Sequence, residues 1–232
     1  MKLCIIPARG GSKRIPRKNI KDFNGKPMIA YSIEAALTSK CFDEVIVSTD
    51  DKEIARLSER YGAIAPFLRP ESLANDHAGT LPVVKHAIEW CEQHDLPPDE
   101  VCCLYATAPF VTASSLQKAY QQLQRTQADY CFTVTSFPFP IQRAIKVTAN
   151  NRVEMFQPEN FNTRSQDLEE AFHDAGQFYW GKAESFKNME LLFSDKSSPF
   201  ILPRHRVQDI DTPEDWVRAE LMHQLLTASG EL

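Results

Sequence analysis

The sequence predicts an α/β fold: a doubly wound, mostly parallel sheet, in a single domain spanning 1–232 with one excursion at about 137–170. Three features point there. Short runs are apolar at every position, which marks strands covered on both faces. Amphipathic segments of helical period separate them. The two kinds alternate, which favours parallel strands joined by right-handed crossovers.

The run 3–8, "LCIIPA", is the first strand. "PMIAYSIEAALTS" at 27–39 is a helix, with Pro27 where a missing N–H costs little. "EVIVST" at 44–49 is the next strand, and "DDKEIARLSERYG" at 50–62 an acid-started helix closed by Gly62. A helix over 80–94, a strand over 101–106, a helix over 113–126 and a strand over 130–135 continue the pattern. The alternation then breaks. Residues 136–160 carry three prolines and an Asn-Asn turn between two strand-like runs, which predicts a hairpin excursion. A strand returns at 172–182, a helix with Pro213 near its start covers 212–226, and the tail "TASGEL" is expected to fray.

Composition narrows the function. Hydrophobic residues make up 43% and charged ones 25%, a globular balance. The formal net charge of -5 argues against a general nucleic-acid surface. No apolar run reaches membrane-span length and the start is not a signal peptide, so a cytoplasmic chain with no membrane partner is expected. The six cysteines form no CxxC pair and several sit in apolar runs, so buried, reduced thiols are expected.

Against that acidic background, residues 5–20, "IIPARGGSKRIPRKNI", gather five cationic side chains. The segment follows the first strand, and ligands of open parallel sheets bind beyond the carboxyl ends of strands. Gly10 and Gly11 allow backbone conformations closed to other residues and bring N–H groups to a ligand. Arg9, Lys13, Arg17 and Lys18 suit a polyanion, with Ser12 and Asn19 as hydrogen-bond donors, and a triphosphate matches them. A solvated basic turn would not explain two glycines directly after a buried strand. The segment fits neither the P-loop nor the GxGxxG pattern. At the other end, "QDIDTPED" places Asp209 and Asp211 two apart, on one side of an extended segment. With phosphate oxygens they suit Mg2+. Alternatively, Asp211 or Thr212 caps the following helix, and Asp215 lies on its surface.

"IPARGGSKRIPRKNI" resembles the N-terminal signature of the CMP-sugar-acid cytidylyltransferases, which activate sialic acids with CTP. "GKPMIAYSIEAA", "VIVSTDDKEIA", "FLRPESLANDHAGT", "TRSQDLE" and "DIDTPEDW" resemble later family segments in the same order, so the resemblance covers nearly the whole chain. It implies a Rossmann-like nucleotidyltransferase in which the anomeric hydroxyl of a nonulosonic acid attacks the α-phosphate of CTP, with Mg2+ as cofactor. By the same resemblance Lys18, Arg9 and Asp211 carry catalysis. Arg9, Gly10, Gly11, Ser12, Lys18, Asn19, Arg69 and Thr80 bind the nucleotide, and Asp209 and Asp211 hold the metal. Arg69 as an exposed loop residue and Thr80 as a helix N-cap are the structural alternatives. Arg164 falls at the family's sugar-carboxylate arginine, and family members form homodimers through the excursion, where Phe137, Phe139, Ile141 and Phe156 supply apolar surface.

One stretch departs from the usual sialic-acid pattern. "YATAPFV" puts Tyr105, Ala108 and Val111 where a glutamine, a serine and an arginine are typical. A site with fewer polar groups disfavours a sugar rich in hydroxyls. "CCLYATAPF" and "FHDAGQFYWGK" resemble the pseudaminate-using branch, which implies that Tyr105, His173, Asp174, Gln177 and Tyr179 line the sugar pocket, while Phe178 and Trp180 pack in the core. The rivals are an N-acetylneuraminate or legionaminate cytidylyltransferase, a metal-dependent glycosyltransferase using the Asp-x-Asp pair, and a non-catalytic nucleotide-binding protein.

Overall fold

The continuous apolar runs bury both of their faces. In strand β1 (Lys2–Pro7), Leu3 and Ile5 pack into one layer while Cys4 and Ile6 pack into the other. Strand β3 (Glu100–Leu104) divides in the same way, with Val101 and Cys103 on one side and Cys102 and Leu104 on the other. This is the two-residue period of a strand read through its burial. The structure is a computed structural model that describes every residue except 76 and 77.

The remaining strands of the central sheet are β2 (Glu44–Ser48), β4 (Tyr130–Ser136), β5 (Phe172–Lys182) and β6 (Ser197–Ile201). The six run in the order β6-β4-β5-β3-β1-β2. β1 pairs in parallel with β2 and β3, and β4 with β6, while β5 runs antiparallel to both β3 and β4. Helices cover both faces. On one face α1 (Met28–Ser39) and α4 (Ala113–Thr126) bring Ile29, Ile33 and Leu116 onto Cys4, Leu104 and Trp180. Trp180 is fully buried, stacks on Phe42 and donates its indole N–H to the Leu116 carbonyl at 3.1 Å. On the other face α3 (Thr80–Gln93) and α5 (Ala183–Lys187) bring Val84, Ile88 and Phe186 onto Leu3, Val101 and Tyr179. α2 (Lys52–Arg60) is capped by Asp51, whose side chain accepts from the N–H groups of Glu53 and Ile54.

A third cluster sits at the carboxyl edge of the sheet. There α6 (Pro213–Ser229) packs Trp216 and Ala219 against Ile15, Phe23, Met28, Phe110 and Ile210. Thr212 caps α6 in a reciprocal box with Asp215, so Asp215 is a capping group rather than a bystander on the helix surface. The tail does not fray as expected. The helix runs to Ser229, and Gly230, at φ 75°, closes it by donating to the Leu226 and Thr227 carbonyls.

The excursion carries a two-stranded antiparallel hairpin, Ile145–Val147 with Val153–Met155, and Asn151 at φ 55° makes its turn. α5 and β6 have no counterpart in the expected order, and neither does the short antiparallel pair Asp22–Phe23 with Lys26–Pro27. Pro199 masks β6 in the sequence, and a proline is tolerated there because β6 is an edge strand.

Gly181 is where the sheet leaves no room for a side chain. An added Cβ would lie 2.5 Å from the Tyr130 ring, 2.9 Å from Phe186 and 3.0 Å from the Asp129 carbonyl. Gly181→Ala should therefore destabilise the protein by about 1–3 kcal/mol, the usual cost of overpacking. A denaturant midpoint unchanged from wild type would refute this account of the β4–β5 contact.

Candidate active site

β1 and β3 end side by side, and the chain beyond each end builds the wall of a cavity of about 320 Å3. Arg9, Lys13, Arg14, Lys18 and Arg69 line it, together with one carboxylate, Asp211. Such an excess of cations around a recess focuses positive potential on whatever enters it.

The loop after β1 is held by its own polar groups. The Asn19 amide is buried and donates to the Arg9 carbonyl at 2.9 Å. Gly10 donates its N–H to Asp50 Oδ1 at 2.9 Å. Neither Gly10 nor Gly11 adopts a positive φ, so the expected conformational reason for them fails. Gly10 is required by space instead, since a Cβ would lie 2.8 Å from Asp51 Oδ2, whereas a Cβ on Gly11 meets nothing. The left-handed residue is Arg17, at φ 57°. Its guanidinium also leaves the group expected to meet the ligand, because it pairs with Asp51 and Glu53. Arg14 takes its place in the cavity wall, donating to Asp211 Oδ2 at 2.8 Å. Charge counting could not choose between two arginines three residues apart.

Lys18 follows directly and crosses to the C-terminal segment. Its Nζ donates to the Ile210 carbonyl at 2.7 Å and lies 3.4 Å from Asp211 Oδ1. The basic loop and the acidic end thus form one site. Arg69 is not an exposed loop arginine. Its side chain is 4% exposed, with Nη2 3.9 Å from Asp50 Oδ1. Nε and Nη2 have no hydrogen-bond partner although both are buried. Burial pushes its pKa down, opposed by Asp50. Buried donors left unpaired cost about 1–3 kcal/mol each, so this guanidinium keeps unmet donor capacity beside the cavity. Ser12 and Thr80 line the same space. Thr80 is the first residue of α3 rather than its cap, which is Gly79.

A second cavity, of about 400 Å3, adjoins the first across Gly79, Thr80 and Tyr105. Asp174 and Tyr179 supply its other polar groups, and Leu81, Pro82, Phe186, Met189 and Leu192 make the wall apolar. A bulge in β5 turns Asp174 inward. The pairing with β4 shifts register between Phe132 and Val134, and Gly176, at φ 61°, donates to Asp174 Oδ1 at 2.8 Å.

A family model for cytidylyltransferases matches residues 3–227. The chain belongs to the cytidylyltransferase family. It is 49% identical to the pseudaminic acid cytidylyltransferase of Campylobacter jejuni over 223 residues, covering 96% of each chain. It is 33% identical to the CMP-N,N'-diacetyllegionaminic acid synthase of Legionella pneumophila, again over 96% of each. A solved structure of CMP:2-keto-3-deoxy-manno-octonic acid synthetase complexed with CTP shares the fold of this cytidylyltransferase. It has a TM-score of 0.71 at 20% identity, covering 97% of this chain and 99% of that one.

Not every residue expected in the site reaches it. Gln177 lies within the β5 bulge, and its amide turns away from the second cavity to donate to the Arg206 carbonyl at 2.6 Å. His173 packs its ring on Phe137, with Nδ1 2.8 Å from the Asp174 carbonyl. Arg164 sits on the excursion, 71% exposed and paired with Asp167. Ala108 and Val111 are buried in the core beside Leu116, because the chain turns inward after Tyr105. They line neither cavity, so the expected contact from them is not made. The apolar wall of the second cavity comes from α3, from α5 and from the loop after α5, so no single motif announces it. Asp76 and His77 of the "FLRPESLANDHAGT" run lie outside the described residues.

The acidic end is strained electrostatically. Asp209 is exposed, yet partial desolvation by its neighbours, then the charge of Asp211, raises its carboxyl above the ordinary aspartate range, with Lys18 opposing. The folded chain thus holds this proton more tightly than the unfolded chain. Stability is lost as the pH rises through the shifted value. Solvent screens an exposed carboxylate, so the effect is small: Asp209→Asn in chelator should raise Tm at pH 7 by about 1 °C, the shift a few tenths of a kcal/mol gives a chain of this size. The gain should vanish near pH 3, where both forms are protonated. A Tm at pH 7 equal to or below wild type would contradict the repulsion.

Proposed function

We propose that the chain transfers CMP from CTP to the anomeric hydroxyl of pseudaminic acid, releasing pyrophosphate. The observation that carries this reading is the pair of adjoining cavities, one ringed by cations and the other apolar with a few polar groups. The relatives named above supply the reaction class and favour pseudaminate among its acceptors.

In this reading the triphosphate lies among Arg9, Lys13, Arg14 and Lys18, with the loop at Gly10, Gly11 and Ser12 beside it and Asn19 fixing Arg9. The unpaired Arg69 donors meet cytosine or ribose oxygens, and Thr80 flanks them. Negative charge grows on the phosphates as pyrophosphate departs, and Lys18 stands within the cavity to stabilise it. Asp209 and Asp211 would hold Mg2+. An all-oxygen pair fits that ion, whose other positions phosphate and water oxygens can fill, and among the described residues no third metal-ligating side chain joins them. Bound there, the ion would neutralise phosphate charge. Asp211 now meets Arg14 and Lys18, so these cations exchange one anionic partner for another when the nucleotide enters.

The apolar second cavity suits a sugar with a terminal methyl group and acylated amines. N-acetylneuraminate would have to bury a glycerol tail there. Each unpaired hydroxyl costs about 1–3 kcal/mol, so two give a preference of roughly a hundredfold. Arg164 lines neither cavity, so in this reading a second copy of the chain presents it to the sugar carboxylate. The excursion that carries it also exposes Phe139, Val147, Phe156 and Phe161, each more than half exposed, which suits a homodimer. No helix among the described residues is long and apolar enough to cross a membrane, and a cytoplasmic setting supplies CTP.

Pyrophosphate release measured with CTP, Mg2+ and a panel of nonulosonic acids tests the proposal. The kcat/KM for pseudaminate should exceed that for N-acetylneuraminate by about a hundredfold or more. Equal values would transfer the assignment to another acid of the same class. In the same assay Lys18→Ala should lose about two orders of magnitude in kcat, the scale of one charge-stabilising donor. Near-normal turnover by that variant, with its fold intact, would remove Lys18 from catalysis.

A further inference from the structure

The second cavity holds polar groups with bonding capacity to spare. Asp174 Oδ1 accepts the Gly176 N–H at 2.8 Å and Oδ2 accepts the Tyr179 hydroxyl, yet the two oxygens carry further lone pairs. Elsewhere in the lining, Thr80 Oγ1 lies 3.3 Å from Tyr105 Oη. Two hydroxyls bring two protons and one of them joins the pair, so the pair keeps one to donate. Around these groups Leu81, Pro82, Phe186, Met189 and Leu192 are apolar. A spare acceptor and a spare donor beside an apolar wall complement a secondary amide, which carries an N–H, a carbonyl and an alkyl group together. A methyl group alone would leave both polar groups without a ligand partner, and a hydroxyl alone would leave the wall facing water.

The loop after α5 supplies a second, independent sign. Met189 sits at φ 52°, in the left-handed region, directly after the Asn188 cap of α5. Glycine is the usual residue at that position, because a side chain is disfavoured there. A methionine in its place, half-exposed and lining the cavity, points to a use for the side chain itself. The backbone around it is pinned. Met189 donates its N–H to the Phe186 carbonyl at 3.1 Å, and Glu190 donates to the Ser185 carbonyl at 3.0 Å. Tyr130 Oη donates to the Glu190 carbonyl at 3.3 Å, and Ser197 Oγ to the Leu192 carbonyl at 2.6 Å. Met189 and Leu192 therefore line the cavity from fixed anchors, while Leu191 and Phe193 are exposed.

We propose that Met189 and Leu192 set the length of the acyl chain that the enzyme accepts on one amine of the sugar acid. The inference rests on the transfer of CMP to such an acid. The N–H of that amide donates to Asp174, its carbonyl accepts from the Thr80–Tyr105 pair, and its acyl chain extends toward the two side chains. An acetyl group fills the space they leave, and a longer chain runs into them.

Acceptor acids carrying acetyl or butanoyl on one amine or the other test the assignment through pyrophosphate release. At one of the two amines wild type should favour acetyl by about tenfold or more in kcat/KM, the scale that extra methylenes set in a filled pocket. Met189→Ala and Leu192→Ala should each bring that ratio within about threefold, with KM for CTP held within about twofold, because room is made only at the acyl end. Leu192→Ala reads the same wall if Met189→Ala fails to fold. Replacing that amide by an ester of the same shape removes the N–H and should cost wild type about tenfold or more. An acetyl-to-butanoyl ratio unchanged in both variants at both amines, or an ester used as well as the amide, overturns the inference and leaves the proposed function standing. No pyrophosphate from wild type with any nonulosonic acid overturns both.

Discussion

Like charges gathered in one recess repel, and this end of the molecule is arranged around holding them. Five cationic side chains line a single cavity, and a network of carboxylates behind and below keeps them in place. Asp50 faces Arg69 and holds the Gly10 N–H. Asp51 and Glu53 draw Arg17 out of the recess, while Asp211 receives Arg14 and Lys18. Asp51 also caps α2, so the acidic pair at the end of β2 is at once helix start, loop anchor and counter-charge. A mildly acidic chain can therefore present a strongly basic pocket. The opposing charges are present but turned so that their partners, not the ligand, meet them.

The parallel part of the fold was legible because its signals are local. A strand buried on both faces is apolar at every position, and the helices between show their own period. What escaped notice depended on distant contacts. β6 contains Pro199 and reads as a loop until its place at the sheet edge is known. α5 spans only Ala183–Lys187, too short to show a period. The tail looked polar enough to fray, yet Gly230 caps the helix and Glu231 accepts from His205.

The site was legible to the same degree. Lys18, Arg9, Asn19 and Asp211 come from compact motifs whose charge and position declare them, and Arg69 from a longer run. Ala108 and Val111 misled because a motif aligns positions along the chain without saying which way each side chain turns. Gln177 misled through the β5 bulge, which breaks the two-residue alternation that would have placed it beside Tyr179. Arg17 and Arg14 could be told apart only by the positive φ of Arg17 and the acidic partners that claim it.

The bond from Lys18 to the Ile210 carbonyl spans 192 positions of the chain. Its acceptor is fixed by the third cluster, where Ile210 packs with Trp216 and Ala219 of the final helix against Ile15 and Phe23. A growing chain can pair β1, β2 and β3 while the ribosome is still making the rest. It cannot orient Lys18, or bring Asp211 to the basic loop, until α6 has been made and docked. The cation-ringed cavity therefore depends on a distant segment, and a sheet without that helix docked presents a loop of cations without the carboxylate that lines the cavity beside them.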